Sequence, residues 1–402
     1  MVCALAALVA IQTQSQTPFP VFELPDPMAT NIIFQVIMKT PPLMRSEHAD
    51  WVVMANSVLD GVEDFSNTRI REFTRDSGLS PRVIVMNDHV RIVYAVTADQ
   101  LAQGSKLATM ILSKPKLRQD SVTKAIGTLS EPVSDPFSAA VLPQIYDFSK
   151  VNEQTVQRTF ATRFDPKNSI VVVGGAVTPG LAAQEMARWT RVWEPKKVVS
   201  PVAARIDPPE PLLRSRIGVS SFEFRGKPFT PATPFSGSMF LATIALGMGK
   251  ASTLWRVVRQ DMGLSYVQEG LLWPTTDGWV PRFIVLRGSE ESEVELFTKM
   301  RTNIIADIDK WDEAHLARAQ SLAKASLERG SDLSPFWIAP DESIQPTLED
   351  RCAWIGLLEL TKTGSVGMKT LSSALENVDL ESMKEQAKKM IESAEGVYIN
   401  GR

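Results

Sequence analysis

A cation and a phenol, Arg259 and Tyr266, stand seven residues apart in the stretch LGMGKASTLWRVVRQDMGLSY (246–266). The stretch reads as a glycine turn, a helix with Arg256 and Arg259 on successive turns, a second glycine turn, and a tyrosine opening a strand. Across that second turn, Arg259 and Tyr266 lie close enough for both to serve one bound chain. A competing reading is architectural. Arg259 is then a surface charge near a helix C-terminus, where a cation is favourable anyway, and Tyr266 is a strand aromatic.

Other chemistry finds less support. The three histidines, His48, His89 and His315, fall in different segments, and none has a second histidine three or four residues away. A zinc site from them requires a coincidence of fold, so they read as exposed or capping residues. GMGKAS (247–252) looks like the tail of a phosphate loop, but Ile244 and Ala251 stand where glycine and Ser or Thr are needed. No Gly-x-Ser-x-Gly elbow occurs. Trp273 and Trp279 flank a PTTDG turn and read as packing residues. With only Cys3 and Cys352, neither a disulfide framework nor a cysteine metal site follows.

The elements that must position these residues follow from pattern. At 402 residues the chain exceeds one core, and two domains of about 200 residues are the natural reading. A formal charge of −3, with no lysine- or arginine-rich run, argues against nucleic acid. Val2 to Ile11 is an apolar run too short to span a bilayer but suited to an export signal over 1–18. A buried first strand is the alternative, and no membrane span is expected. Strands are predicted at 21–24, 31–40, 81–86, 90–96, 169–176 and 217–224. Helices are predicted at 46–60, 67–77, 99–113 and 181–193, and another is capped by Asn152 with Glu153 at its first position. A proline-rich, charged linker at 196–211 separates an N-terminal domain (19–195) from a C-terminal one (212–402).

The second half repeats the first. VNEQTVQRTF…VVVG runs from Val151 to Gly174, and VDLESMKEQ…VYING runs from Val378 to Gly401. Each is an acid-led helix followed by a strand ending in glycine. The helix around Ser121–Leu129 likewise parallels one beginning at Asp312, and the loop-like 330–346 accounts for the change of offset. The predicted fold class is α+β, with two duplicated domains, each a sheet covered by helices on one face.

Taken together, the 246–266 stretch, FATRFDPKNSIVVVGGAV (160–177) and WDEAHLARAQ (311–320) resemble the insulinase-type (M16, pitrilysin-like) zinc metallopeptidases. The resemblance covers nearly the whole chain from about residue 20. It implies a His-x-x-Glu-His helix, whose imidazoles hold zinc while the glutamate activates water, and a further glutamate about seventy residues on. The equivalent helix here is EHADWVVMANSVLDG (47–61). Counted back from Gly61, the histidine positions fall on Val52 and Asn56 and the glutamate position on Ala55. The distal glutamate falls near Gly127 or Thr128. None of these residues can ligate a metal or act as the base, so no cofactor is expected in this chain and zinc only in a partner chain. The resemblance further implies that Arg259 and Tyr266 hold a peptide backbone and favour an oxyanion opposite the partner's metal. The expected function is a non-catalytic subunit, exported to the periplasm or beyond. It would pair with a zinc-bearing homologue to act on peptide or unfolded protein. The alternatives are a structural scaffold and a stand-alone peptide-binding protein.

Overall fold

The computed structural model describes residues 11–12, 17–86, 88–130, 147–191, 220–275, 277–287, 293–329, 347–360 and 364–399. They fall into two compact units, one within Leu8–Glu131 and Pro143–Pro211, the other within Leu212–Arg402. The proposed linker, the loop at 330–346 and most of the proposed export signal lie outside the described residues.

In the N-terminal unit the strands are β1 (Ile11–Gln12), β2 (Val21–Pro25), β3 (Asn31–Lys39), β4 (Gly61–Val62), β5 (Phe65–Ser66), β6 (Arg82–Val85), β7 (His89–Thr97) and β8 (Ser169–Gly175). The helices are α1 (His48–Ser57), α2 (Asn67–Arg75), α3 (Leu101–Ser113), α4 (Gln119–Ser130), α5 (Glu153–Arg163) and α6 (Leu181–Thr190). A six-stranded sheet runs β1-β2-β8-β3-β7-β6, antiparallel except for β2 with β8. Ile11 and Gln12, inside the proposed signal, pair with Glu23 and Phe22. The two-stranded β4–β5 ribbon closes the turn between α1 and α2.

Strand period sorts the side chains onto two faces. Ile32, Phe34, Val36 and Met38 alternate along β3 and join Ile92, Tyr94 and Val96 of β7 and Val171 and Val173 of β8 in one core. Phe34 stacks on its register partner Tyr94 at 5.1 Å. Helix α3 approaches this pair closely because Gly104 has no side chain. A Cβ there would lie 2.5 Å from the Phe34 ring. The buried Tyr94 hydroxyl in turn donates to the Gly104 carbonyl at 2.7 Å, so this buried phenol has its partner. A distant acid organises the last helix of the unit. The Glu23 carboxylate of β2 accepts the amides of Gly180 and Ala183 at the start of α6.

The C-terminal unit contains β9 (Ser220–Arg225), α7 (Ser236–Gly247), a π-helix (Trp255–Asp261), β10 (Gln268–Thr275), β11 (Gly278–Arg287), α8 (Glu293–Ile308) and α9 (Glu313–Arg329). It continues through α10 (Leu348–Leu360), α11 (Gly364–Glu376), α12 (Leu380–Ser393) and β12 (Glu395–Ile399). Its sheet runs β10-β11-β9-β12 and reproduces β6-β7-β3-β8 of the first unit, each neighbouring pair antiparallel. Phe224 of β9 stacks on Phe297 of α8 at 4.3 Å. On the other face Glu223 of β9 takes a two-armed bond from Arg282 of β11, at 2.5 and 2.8 Å. Helix α7 reaches β10 through glycine on both sides, since a Cβ on Gly247 would lie 2.3 Å from the Gly270 Cα.

The duplication is visible in the caps as well. Asn152 accepts from Thr155 N at 3.1 Å to start α5, and Asp379 accepts from Ser382 N at 2.7 Å to start α12. The strands that follow them, β8 and β12, occupy equivalent places beside β3 and β9. Both units are thus sheets covered by helices on one face.

Candidate functional site

Helix α1 carries the positions where the resemblance implied a metal centre. Val52 is 4% exposed and Ala55 fully buried, both as core filling. Asn56 is half-buried, and its amide nitrogen donates back to the Val52 carbonyl at 2.9 Å. Hydrocarbon at two positions and an amide engaged with its own helix at the third offer zinc no donor set. No cluster of three His, Cys, Asp or Glu side chains that could hold a metal occurs among the described residues. The helix is fixed instead by a buried ion pair just before it. Arg163 of α5 donates through Nε and Nη2 to Glu47 at 2.9–3.1 Å. Asp50, one turn on, accepts from the Thr155 hydroxyl at 2.5 Å and from Thr159 at 3.4 Å. Burial pushes the Asp50 carboxyl up, against these hydrogen bonds and the charge of Arg158. Sequence carried no signal of the Glu47–Arg163 pair, whose members lie 116 residues apart.

Two of the three histidines depart from the expectation that they are exposed or capping. His315 does cap, bonding Asp312 at 2.6 Å. His48 is half-buried, and burial lowers its pKa against the opposing charge of Glu47. His89, expected to be exposed or capping, is fully buried at the start of β7 and bonds Asp88 at 2.8 Å. Strand register puts it on the face of Arg91 and Val93, and the Asp88 carboxylate meets one of its two ring nitrogens.

A cleft of about 560 Å3 opens beside α1. Asn56 and Thr128 both line it, so the fold does bring the second histidine position and one candidate for the distal glutamate position to one cavity. Around them are Arg71 and Arg75 of α2, Arg82 of β6, and Lys124 of α4, which pairs with Asp60. These cations went unremarked in sequence. Arg71 and Arg75 sit four residues apart on α2 and so share a face, but only the fold sets Arg82 and Lys124 beside them.

In the C-terminal unit the 246–266 stretch forms a tight assembly. Gly249 and Gly263 take left-handed φ values of 70° and 59° on either side of the helical segment, the turns a glycine permits. The helix expected between them is a π-helix, with Met262 N bonding Val257 O and Leu264 N bonding Val258 O. Its two arginines divide their tasks. Arg256 is structural: its fork grips Asp307 of α8 at 2.8 and 2.6 Å. Asp307 also accepts from Thr253 at 2.7 Å, and the Thr253 hydroxyl accepts from the Trp311 indole at 2.9 Å. All three of these partners are buried.

Arg259 lies outside this network. Its guanidinium sits 4.9 Å from the Tyr266 ring centroid and 5.6 Å from that of Trp255, and Nη1 approaches the Tyr266 carbonyl at 3.4 Å. Tyr266 is 82% exposed and lies two residues before β10 rather than opening it. The fold therefore brings Arg259 and Tyr266 together, with Trp255 as a third member. Trp255 and Arg259 are spaced i,i+4, a signal present in the sequence. Arg259 makes no ion pair with a carboxylate among the described residues, so most of its donors remain available.

No protein-family sequence model matches the chain, and no curated protein sequence does. Solved structures do. A protease from Helicobacter pylori matches with TM-score 0.72 and 13% identity over 97% of this chain and 99% of that one. A peptidase M16 inactive domain from Pseudomonas fluorescens matches with TM-score 0.70 and 13% identity over 98% of each. The first half of the periplasmic protease PqqL from Escherichia coli matches with TM-score 0.66 and 11% identity, over 98% of this chain and 92% of that one. The chain has the fold of the insulinase-type (peptidase M16) proteins, as the sequence resemblance implied.

Proposed function

We propose that this chain is a non-catalytic subunit of an insulinase-type metallopeptidase, pairing with a zinc-bearing homologue and supplying Arg259 and Tyr266 to bind peptide. The observation that carries the reading is the exposed Arg259–Tyr266 pair on a chain whose implied metal positions hold Val52, Ala55 and Asn56. A guanidinium without a carboxylate partner among the described residues, beside an exposed phenol, can donate to successive substrate carbonyls or to a developing oxyanion. The inactive state of the Pseudomonas fluorescens domain supports the same direction. Export is part of the proposal, supported by the apolar run Val2 to Ile11 and by the periplasmic setting of PqqL.

The alternative is a structural scaffold or a stand-alone peptide-binding protein. One observation favours the scaffold: Arg259 already has two aromatic partners. Kinetics of the assembled complex separate the readings. Loss of one charge-stabilising donor lowers turnover by about a hundred- to a thousandfold, so Arg259→Ala and Tyr266→Phe lower kcat while assembly stays intact. A binding role alone raises KM with little change in kcat. Wild-type kinetics in both variants would refute the assignment and leave the scaffold in its place.

A further inference from the structure

The cleft beside α1 has no task in the proposed function, yet its charge is unusual for this chain. Arg71, Arg75, Arg82 and Lys124 line it together with one carboxylate, Asp60, and Arg82 also has an interaction of its own. The molecule as a whole is acidic, with a formal charge of −3, so cations are concentrated here against the overall sign. Asp60 answers Lys124 alone. Arg71 has no ion-pair partner among the described residues. Arg75 meets Asp76 at 3.6 Å, with both side chains mostly exposed, a contact that a ligand can replace at little cost.

We infer that this cleft binds an acidic peptide segment through several of its side-chain carboxylates. The cations come from α2, β6 and α4 rather than converging on one point, and Arg71 and Arg75 stand a helical turn apart. Such spacing suits carboxylates distributed along a chain. A compact phosphate needs donors, whether arginines or backbone amides, converging on one point, and the start of α2 is already capped by the Ser66 hydroxyl, which accepts from Arg69 N. Leu59, Ile70 and Val83 supply apolar lining for the intervening side chains. The volume, about 560 Å3, lies in the roughly 300–1,000 Å3 range of ligand sites.

The inference needs no catalytic partner and does not involve Arg259 or Tyr266, so the full chain alone tests it, and its failure leaves the proposed function standing. The probes are a fluorescent peptide of alternating Glu and Ala, its Lys-for-Glu counterpart, and a single-stranded oligonucleotide of equal negative charge. Anisotropy is expected to show binding of the Glu peptide only, weakening as salt rises from about 50 to about 500 mM. Arg71→Glu with Arg75→Glu is expected to weaken it by about tenfold or more, whereas Lys388→Glu in the other unit leaves it unchanged. Circular dichroism melts check that all the substitutions, including the one at the half-buried Lys388, leave the fold intact. Equal binding of the Lys peptide, equal loss in Lys388→Glu, or indifference to the arginine substitutions would overturn the inference. Equal or tighter binding of the oligonucleotide would overturn it in favour of a phosphate site.

Discussion

Replacing Glu223 by Gln is expected to destabilise the C-terminal unit by about 3–5 kcal/mol, because it leaves the Arg282 guanidinium buried without its anion. Both side chains are nearly inaccessible, at 3% and 4%. Arg282 reaches Glu223 through Nε and Nη2 at 2.5 and 2.8 Å, and Arg225 adds Nε and Nη2 at 2.9 and 3.1 Å. Burial alone would raise the Glu223 carboxyl, but the Arg282 charge and the hydrogen bonds from both arginines outweigh it and bring the pKa from 4.5 to about 2. At about 1.4 kcal/mol per pH unit, that displacement corresponds to roughly 3 kcal/mol. The sign follows from linkage: the folded-state pKa is depressed, so this stability is present above about 4.5 and is lost as pH falls through about 2. Urea unfolding followed by tryptophan fluorescence at a series of pH values from 7 down to 2 measures both effects. Glu223→Gln should lower the midpoint at pH 7 and flatten the acid limb, and adding Arg282→Met should return part of the loss. A change under about 1 kcal/mol, or an acid limb as steep as wild type, would refute the view that this pair clamps β9 to β11.

Other parts of the architecture have their own tests. Gly104→Ala drives a methyl toward the Phe34 ring at 2.5 Å, and a loss of about 1–3 kcal/mol from overpacking is expected in thermal or urea unfolding; no loss would mean α3 does not sit directly on β3. Asn152→Ala and Asp379→Ala each remove the side-chain acceptor at a helix start. Each should cost about 1 kcal/mol by the same assays, and markedly unequal effects would argue against equivalent roles for the two caps.

Much of this fold is legible in the residues because its rules are local. The alternation of Ile32, Phe34, Val36 and Met38 specifies a strand and the face that joins the helix-side core. Asn152 at its helix start needs only the amide of Thr155, three residues away. The Arg259–Tyr266 proximity is also local, spanning one glycine turn. What sequence did not disclose depends on distant partners. The widening of 255–261 into a π-helix accompanies the anchoring of Arg256 and Thr253 by Asp307, more than fifty residues on. The burial of His89 depends on which face of β7 is enclosed, a question its own segment does not answer. The cationic cleft joins two arginines of α2 to β6 and α4, and only chain topology makes those three elements neighbours.

In the function proposed for it, this chain contributes to proteolysis without performing it. The most direct measurement is peptide turnover with zinc present, comparing this chain alone, each His-x-x-Glu-His homologue encoded by the same genome alone, and each mixture. No cleavage and no retained equivalent of zinc are expected for this chain after dialysis, with a rise in one homologue's activity on mixing. Cleavage by this chain alone with about one zinc bound, or no change in any homologue's activity in any mixture, would contradict it.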